Sequence, residues 1–519
     1  MSRVRGSRIV RYLPFVLLLA ALVAGLRYFD ILGGGTRGAI LLAPIAGARP
    51  EAALLTEKLA SALTEATAGR ERVVLRRLRT SITEEEGSRA ARSLGDRERA
   101  ALVVWGYLKS TGPGTVLMLT IENMGMVRFV ILRPFGDYAV EGALADPNQF
   151  ALRQRFGGDA DAPVLLVNAV VRYRDSRDAD ADPLFAYLLN VVQPGDRAAL
   201  LLSRANLAVL MAAPDEALKR YDEVLEGRSL AAEAHNGRGL AHALLNNHPL
   251  ALTEYEAATG LDPEDEAPYL NRGISHTFMG EYQRAIGDYD RALQGSPRAA
   301  RAIVGRGVSW AALGEHKRAV DNFSRAIGIE PSAAAYLDRG LSRAALGEHR
   351  PAIEDFSRAL QLRPVDPLIL VNRGRSRSIL KDQTAAIADF TAALELNPRM
   401  AVAYYERGIA RTIVGQHQQA VEDFSAAITL NPRYGDAYKG RGISQLLRRE
   451  YARALEDFEH AIAIDPKDAE AYYQHGITLR LRGEPRKAIP DMEKVLEVSR
   501  DPSLRKQAEE QLRQIRAEP

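Results

Sequence analysis

The hydrophobic positions of the last two-thirds of the chain recur with a fixed period. Between residues 232 and 502, eight glycines stand 34 residues apart, with one interval of 33. Alanine follows each glycine after twelve residues and a large, mostly aromatic residue after sixteen, and a proline closes all but the last unit. One unit has Gly273, Ala285, Tyr289 and Pro297 at these four positions, and another has Gly408, Ala420, Phe424 and Pro432. Small residues at fixed positions let two helices approach closely, and proline ends a helix because it lacks the N–H. The pattern predicts eight helical hairpins, preceded by a degenerate one near 198–231.

Further details of the period predict how each hairpin turns. Five glycines stand seven residues after the first glycine and suit a left-handed residue that ends the first helix of a hairpin. They are Gly280, Gly314, Gly347, Gly415 and Gly483. The 33-residue unit lacks one residue between Pro331 and Tyr336, which predicts a shorter turn between two hairpins there. Residues 503–519 are polar and predict the capping helix that repeat arrays need.

These spacings resemble those of the tetratricopeptide repeat family. The resemblance implies a mainly α fold: a right-handed superhelix of helix pairs, or α-solenoid, that binds ligands on its concave face. Two first-helix positions would line that face, three residues before and one residue after the glycine. The concave-face candidates are Asn236, Leu270, Ile274, Val304, Leu337, Leu341, Val371, Arg375, Tyr405, Ile409, Lys439, Ile443, Tyr473 and Ile477.

The family's carboxylate-clamping subclass needs asparagine at the position after the glycine. In this chain that position is aliphatic in seven of eight units, with Arg375 as the exception, which argues against a clamp. The candidates instead favour an apolar groove for an extended or helical peptide. Each candidate side chain could also serve only to pack neighbouring hairpins together.

Residue types that carry catalysis recur here as repeat positions. His248, His316, His349 and His417 occupy one equivalent position near the turn between the two helices, so they cannot converge on one metal. An arginine precedes seven of the eight glycines and recurs with an acid sixteen residues later, as in Arg373 and Asp389. This predicts ion pairs between the two helices of a hairpin. No phosphate loop, metalloprotease helix or nucleophile elbow is present. The sequence therefore predicts no enzyme, no cofactor and no metal.

The amino terminus carries a membrane signal. Basic residues 1–11 precede an apolar segment at 12–32, which predicts a signal anchor with a cytoplasmic amino terminus and an exported body, periplasmic or extracellular. Because the uncharged core at 12–26 is short, a cleaved signal peptide is an alternative, as is a buried helix. Gly33-Gly34-Gly35 is expected to be a linker.

Residues 38–132 alternate between strand-like and helix-like patterns. Strands are expected at 39–44, 73–78, 101–108, 115–122 and 127–132, the last two paired as a hairpin, with helices at 50–68 and 84–94. Leu41-Leu42-Ala43-Pro44, residues 55–59 and Val104-Trp105-Gly106 resemble the amino-terminal domain of the translocation protein TolB, which implies a small α/β interaction module. Trp105 is expected to pack in its core, with ligand binding as the alternative. A loose connector at 133–162 and a helical hairpin that begins the segment 163–231 complete the predicted domains.

Charge and cysteine content narrow the functional classes. The net charge is +3, and residues 1–37 contribute +5 because six arginines outnumber Asp30, so the remainder sums to −2. A nucleic-acid-binding body needs clustered positive charge, and this body has no excess of positive charge. The absence of cysteine excludes disulfides and thiolate metal sites.

The sequence therefore predicts a membrane-tethered, exported scaffold or adaptor that binds protein partners. A sensor whose α/β domain binds a small ligand and whose repeats provide the output is the alternative. An enzyme with its site between the two domains is a third possibility.

Overall fold

The computed structural model describes most of the chain beyond residue 37. The described residues are 38–43, 46, 50–66, 73–77, 82, 89–93, 100–111, 114–123, 127–131, 141–145, 149–155, 166, 169–170, 178–191, 197–227, 229–296 and 299–517. The predicted anchor at 12–32 and Pro297 lie outside them. Among the helices so described, none is both long and apolar enough to span a bilayer.

Seven strands precede the repeats in the part of the chain that the structure describes. They are β1 (Gly38–Leu42), β2 (Val73–Arg77), β3 (Ala100–Thr111), β4 (Gly114–Asn123), β5 (Val127–Ile131), β6 (Glu141–Ala145) and β7 (Gln149–Arg155). Five strands form a sheet in the order β2-β1-β3-β4-β7, while β5 and β6 form a separate two-stranded sheet. The pairs of β1 are parallel, and those of β4 are antiparallel. Helix α1 (Pro50–Ala66) follows β1, and residues 89–93 are helical. Trp105 is 5% exposed, as expected of a packing residue.

Two expectations for this region are wrong. The strand at 115–122 was expected to pair with the one at 127–132, but β4 pairs with β3 and β7, and β5 pairs with β6. The connector expected at 133–162 contains β6 and β7. The first error arises because strands that are close in sequence need not pair with each other. The second arises because Gly and Pro residues mark turns between short strands as readily as they mark a linker.

The chain divides into two compact units, Met1–Pro297 and Arg298–Pro519, here called unit 1 and unit 2. In unit 1, α2 (Asp178–Val191) packs against α3 (Arg197–Leu210), which forms the degenerate hairpin with α4 (Pro214–Glu226). Two full hairpins follow: α5 (Ala231–Leu244) with α6 (His248–Leu261), and α7 (Glu266–Phe278) with α8 (Tyr282–Gly295). Strand β7 contacts α3, and β6 contacts α5 and α7, so the strands and the first repeats belong to one compact body.

Unit 2 contains six further hairpins and a final helix. The hairpins are α9 (Ala300–Ala312) with α10 (His316–Ile329), α11 (Ala333–Ala345) with α12 (His349–Leu362), α13 (Pro367–Ile379) with α14 (Gln383–Leu396), α15 (Ala401–Ile413) with α16 (His417–Leu430), α17 (Gly435–Leu447) with α18 (Tyr451–Ile464), and α19 (Ala469–Leu481) with α20 (Ile489–Val498). A short 3-10 turn, Pro485–Ala488, leads into α20. The predicted capping helix is α21 (Pro502–Ala517). The shortened turn is also confirmed, because three residues separate α10 from α11 whereas four separate α12 from α13. Ser332 caps α11 by accepting a hydrogen bond from the Ala335 N–H at 3.2 Å.

Seven of the eight repeat glycines lie against the aromatic ring sixteen residues further on, and Gly476 lies against Met492. A Cβ atom added to Gly408 would meet the Phe424 ring at 2.9 Å, and one added to Gly440 of the next hairpin would meet the same ring at 2.6 Å. The Phe424 ring, 1% exposed, is therefore held between consecutive hairpins. Burial of one such ring stabilises the fold by about 2–3 kcal/mol.

The predicted arginine–acid pairs form in hairpin after hairpin. They are Arg238–Glu254, Arg272–Asp288, Arg339–Asp355, Arg373–Asp389, Arg407–Asp423 and Arg441–Asp457. At Arg306 the prediction is wrong, because Asn322 stands at the acid position and accepts a hydrogen bond from Arg306 Nε at 2.8 Å. In the last hairpin His475 takes the place of arginine, with its Nδ1 2.8 Å from Asp491. From Arg272 onward, the arginines of these ion pairs also donate to a hydroxyl of the preceding second helix, as Arg441 does to Ser425 at 3.0 Å. One guanidinium thus joins three helices of two consecutive hairpins.

The second glycines adopt the predicted left-handed conformation, with φ between +75° at Gly280 and +92° at Gly483. Where the sequence lacks glycine at this position, Asn246, Lys381 and Arg449 adopt it instead, at φ of 60°, 67° and 61°. The turn geometry is therefore the same with either residue type, although a side chain makes it less favourable.

Candidate functional site

The candidate site is the face of each first helix that points away from its own second helix. The repeat arginine and glycine, for example Arg407 and Gly408, contact the second helix and so occupy the opposite side. On α15 the remaining face carries Tyr405, Ile409 and Ile413, which follow one another at four-residue spacing and so lie above one another. We call the corresponding surface of all the first helices the first-helix face.

In unit 2 most of the predicted candidates on this face are accessible. Leu341 is 38% exposed. Eight others are half-buried: Val304, Arg375, Tyr405, Ile409, Lys439, Ile443, Tyr473 and Ile477. Leu337 and Val371 are 3% and 2% exposed and serve only in packing.

The sequence reasoning missed the most exposed part of the face. Five residues after the repeat glycine lie aliphatic side chains that are more than half exposed: Ile379 at 60%, Ile413 at 61%, Leu447 at 53% and Leu481 at 56%. Each continues the four-residue spacing of a predicted candidate, as Leu447 continues from Ile443. That continuation was the signal in the sequence that could have identified them.

An aromatic cluster lies in the middle of the face in unit 2. The Tyr405 ring is 4.9 Å from the Tyr434 ring and meets the buried Phe424 edge-on, with the ring centres 5.9 Å apart. Burial, together with the neighbouring Asp436, raises the pKa of Tyr405 to about 12, and burial also raises the pKa of Tyr434. Both hydroxyls therefore stay neutral at physiological pH, where they can donate hydrogen bonds at the rim of an apolar surface.

The cationic candidates on this face are already paired. Arg375 Nε lies 2.8 Å from Glu406 Oε1. Lys439 Nζ lies 2.9 Å from Asp468 and within 3.2 Å of Asp436 and Glu470. Burial alone would lower the pKa of Lys439, but the hydrogen bond and charge of Asp468, with the other two carboxylates, outweigh it and raise the pKa. Neither cation is positioned to bind a terminal carboxylate, so this geometry fits an apolar segment better than an acidic one.

In unit 1 the predicted candidates Asn236, Leu270 and Ile274 are buried, at 0%, 7% and 5% exposed. Asn271 Nδ2 donates to Asn236 Oδ1 at 2.7 Å, a hydrogen bond between α5 and α7 that is shielded from solvent. These three candidates therefore do not form an open surface in the structure. Strand β6 contacts both α5 and α7. At the position of Asn236 and Leu270 the equivalent Leu337 and Val371 of unit 2 are buried as well, whereas Ile274 is more buried than its equivalents Leu341, Ile409 and Ile443.

The repeated histidines are spread along the array as predicted. His248, His316, His349 and His417 each begin the second helix of a different hairpin. His248 stacks on Phe278 with ring centres 4.9 Å apart. Their positions are those of structural residues.

Comparison with protein-family models places the repeats in a known group. A model described as Tetratricopeptide repeat matches residues 202–266, 270–335, 337–401 and 414–469, and a second model with the same description matches 469–502. These ranges cover more than half of the chain and include the degenerate hairpin. Comparison with curated proteins gave no match.

Several solved structures are similar to parts of the chain. A structure of the MamA protein is 27% identical and covers 32% of this chain and 90% of its own, with a TM-score of 0.30. YrrB, described as a TPR protein with an unusual peptide-binding site, is 25% identical and covers 35% of this chain and 95% of its own, with a TM-score of 0.33. The Cut9–Hcn1 heterotetramer of APC/C is 15% identical and covers 69% of this chain and 77% of its own, with a TM-score of 0.39.

Proposed function

The chain belongs to the tetratricopeptide repeat family, and from this we propose that it is a scaffold that binds a partner protein through the first-helix face of unit 2. The observation that carries the proposal is a series of exposed aliphatic residues on neighbouring first helices, each aligned with half-buried residues of the same face. Ile379, Ile413, Leu447 and Leu481 extend from four consecutive first helices, and neighbouring first helices contact one another. Isolated exposed apolar residues are common on protein surfaces, whereas an aligned series with half-buried apolar neighbours is typical of a binding surface.

The chemistry of the face indicates an apolar segment of a partner. Aliphatic side chains supply buried area, and the hydroxyls of Tyr405 and Tyr473 can hydrogen-bond to a partner's backbone. Aromatic residues are enriched among those that dominate binding energy in protein interfaces. Because Arg375 and Lys439 are paired with carboxylates, an acidic ligand would have to compete with existing ion pairs.

Substitutions on the face test this function. We would tag the full chain, express it in its native host and quantify the proteins that co-purify from detergent-solubilised membranes by mass spectrometry. An Ile413→Glu/Leu447→Glu variant should lose its partner. The matched control Leu396→Glu/Leu430→Glu changes two aliphatics that are 43% and 37% exposed at the ends of second helices, and it should keep the partner. Equal retention by both folded variants would contradict the proposal.

The membrane anchor and export remain part of the proposal. They are supported by the basic residues 1–11 and the apolar segment 12–32. A reporter enzyme that works only outside the cytoplasm, fused after Pro519, should be active. Activity of only a cytoplasm-dependent reporter at the same position would contradict export.

A further inference from the structure

The first-helix face of unit 1 is covered by a strand of the same chain. Strand β6 (Glu141–Ala145) contacts α5 and α7, which are the first helices of two consecutive hairpins. Its partner β5 pairs with it in antiparallel register, with Gly142 opposite Val130. The cover is therefore a β-hairpin, β5–β6, rather than another repeat.

Comparison of equivalent positions identifies the covered surface. One residue after the repeat glycine, Leu240 and Ile274 in unit 1 are 0% and 5% exposed, whereas Leu341 in unit 2 is 38% exposed and Ile409 and Ile443 are half-buried. Four residues after the glycine the contrast recurs. Ala243 and Thr277 are 3% and 7% exposed in unit 1, while the equivalent residues of unit 2 are half-buried. Repeats of one sequence pattern thus differ in exposure where β6 contacts them.

The buried asparagine pair on this face supports the same conclusion. Asn236 and Asn271 are both 0% exposed, and a buried amide must find hydrogen-bond partners inside the protein. Asn271 donates to Asn236 at 2.7 Å. Asn271 stands two residues before its repeat glycine, and the equivalent residues of unit 2, for example Asp338 and Glu406, are partly exposed.

The covering hairpin is inserted in the sequence between two paired strands of the main sheet. Strand β4 pairs with β7, and their last pair is Glu122 opposite Gln149. Strands β5 and β6 lie between these two strands in the sequence and pair with each other outside the five-stranded sheet. The five-stranded sheet does not need this segment in order to form its pairs.

We propose that the first-helix face of α5 and α7 is a second binding surface, one that accepts an extended segment, and that the β5–β6 hairpin is its internal occupant. A partner strand would bind these repeats only when the hairpin leaves. A tethered segment acts on its site at an effective concentration of the order of millimolar. A free segment with a Kd of about 10 μM would therefore bind the covered face roughly 100-fold more weakly than the uncovered face.

Excision of the hairpin tests this inference. Replacing residues 124–148 by a single glycine leaves Asn123-Gly as a two-residue turn that closes the Glu122–Gln149 pair, and Asn-Gly is the preferred sequence for such a turn. Because the chain lacks cysteine, an Ile274→Cys substitution introduces a unique thiol whose rate of modification reports access to the face. Ile443→Cys at the equivalent position of unit 2 is the matched control.

We expect excision to speed labelling at position 274 at least tenfold and to leave labelling at position 443 unchanged. A synthetic peptide of residues 138–148 should then slow labelling at 274 again, whereas a peptide of scrambled order should not. The same peptide should bind the unexcised chain at least tenfold more weakly in a fluorescence anisotropy titration. Slow labelling at 274 in an excised chain with native circular dichroism, or no protection by the peptide, would overturn the proposal.

A second variant tests whether the β5–β6 hairpin covers the face if excision unfolds the protein. Gly142→Pro in the full-length chain removes a backbone donor from β6 and weakens its pairing with β5. It should speed labelling at position 274 and not at 443, and unchanged labelling at 274 would count against the proposal. The inference uses the proposed function only in treating first-helix faces as binding surfaces. The partner-capture residues Ile413 and Leu447 lie in unit 2, so failure of either proposal can be recognised separately.

Discussion

Arg407 and Asp423 join the two helices of their hairpin through two hydrogen bonds, Nε to Oδ2 at 3.0 Å and Nη2 to Oδ1 at 2.7 Å. Arg411 adds a third bond to the same carboxylate at 2.7 Å, and Arg407 also donates to Thr391 of the preceding hairpin at 3.1 Å. Asp423 is 3% exposed and therefore balances two arginines in a largely buried site.

Removal of that carboxylate should be costly. We predict that Asp423→Ala lowers the free energy of unfolding of unit 2 by roughly 2–4 kcal/mol, because two half-buried guanidinium groups lose their counter-charge. The neighbouring Glu422 is exposed, and Glu422→Ala should change the free energy of unfolding by less than about 0.5 kcal/mol. Urea unfolding followed by circular dichroism measures both, and equal effects would show that the ion-pair network contributes little.

The same substitution at two glycines of one hairpin should have opposite effects. A Cβ at Gly273 would meet the Tyr289 ring at 2.9 Å, whereas a Cβ at Gly287 would have no neighbour within 4 Å. We predict that Gly273→Ala destabilises unit 1 by about 1–3 kcal/mol through overpacking. Gly287→Ala should stabilise it by roughly 0.5–1 kcal/mol because alanine favours the helix. Thermal unfolding of the two variants checks the sign, and a loss of stability in both would contradict this packing role.

The left-handed turn residues offer a gain in stability. Arg449 has φ of 61°, a conformation that glycine adopts without steric cost. Arg449→Gly should therefore stabilise unit 2 by about 0.5–1 kcal/mol, and the reverse type of change, Gly415→Ala at φ of 80°, should destabilise it by about 1 kcal/mol. A lower denaturation midpoint for Arg449→Gly would be inconsistent with this geometry.

Asp265, which caps α7 by accepting a hydrogen bond from the Ala267 N–H at 3.0 Å, should make unit 1 sensitive to pH. Burial raises the pKa of Asp265 to about 6, with Glu266 and Asp262 acting in the same direction. The unfolded value is about 3.9. The folded protein therefore holds a proton that the unfolded chain releases, so this stabilising contribution is complete below about pH 4 and is lost as the pH rises to about 6.

Asp265→Asn keeps the capping acceptor and removes the charge. We predict that it stabilises unit 1 at pH 7 by roughly 1–2 kcal/mol and that its difference from the native chain disappears near pH 4. Thermal unfolding of the two proteins between pH 4 and 7 measures this. A difference that stayed constant across that range would exclude Asp265 as its source.

The repeat architecture could be predicted because its causes are local. Gly408 and Phe424 lie sixteen residues apart in one hairpin, and their contact recurs in the pattern of each unit. The arginine–acid pairs were predicted for the same reason. Each repeat contacts only its neighbours, so its hydrophobic positions can be buried in few ways, and the same packing recurs along the array.

The strand pairing could not be predicted from local pattern. Strands β4 and β5 are separated by three residues and look like a hairpin, yet Glu122 of β4 pairs with Gln149 of β7. Which strands pair depends on burial and packing elsewhere in the fold, so sequence proximity alone does not decide it.

The accessibility of the candidate site could not be predicted from the local pattern either. Ile274 and Ile409 stand at one repeat position, but the first is buried and the second is half-buried. The difference follows from the contact of β6 with α7, which no pattern within the repeat encodes. Ile413, by contrast, could have been found from its four-residue spacing after Ile409.

The most direct test of the scaffold function is site-specific photocrosslinking in living cells. A photoreactive phenylalanine derivative would replace Ile413 on the first-helix face of unit 2 or, in a separate strain, Leu430 on a second helix. Both side chains are exposed, at 61% and 37%. We predict a discrete crosslinked protein from position 413 and none from position 430. A crosslink from position 430 alone, or the same product at equal yield from both positions, would contradict binding through the first-helix face.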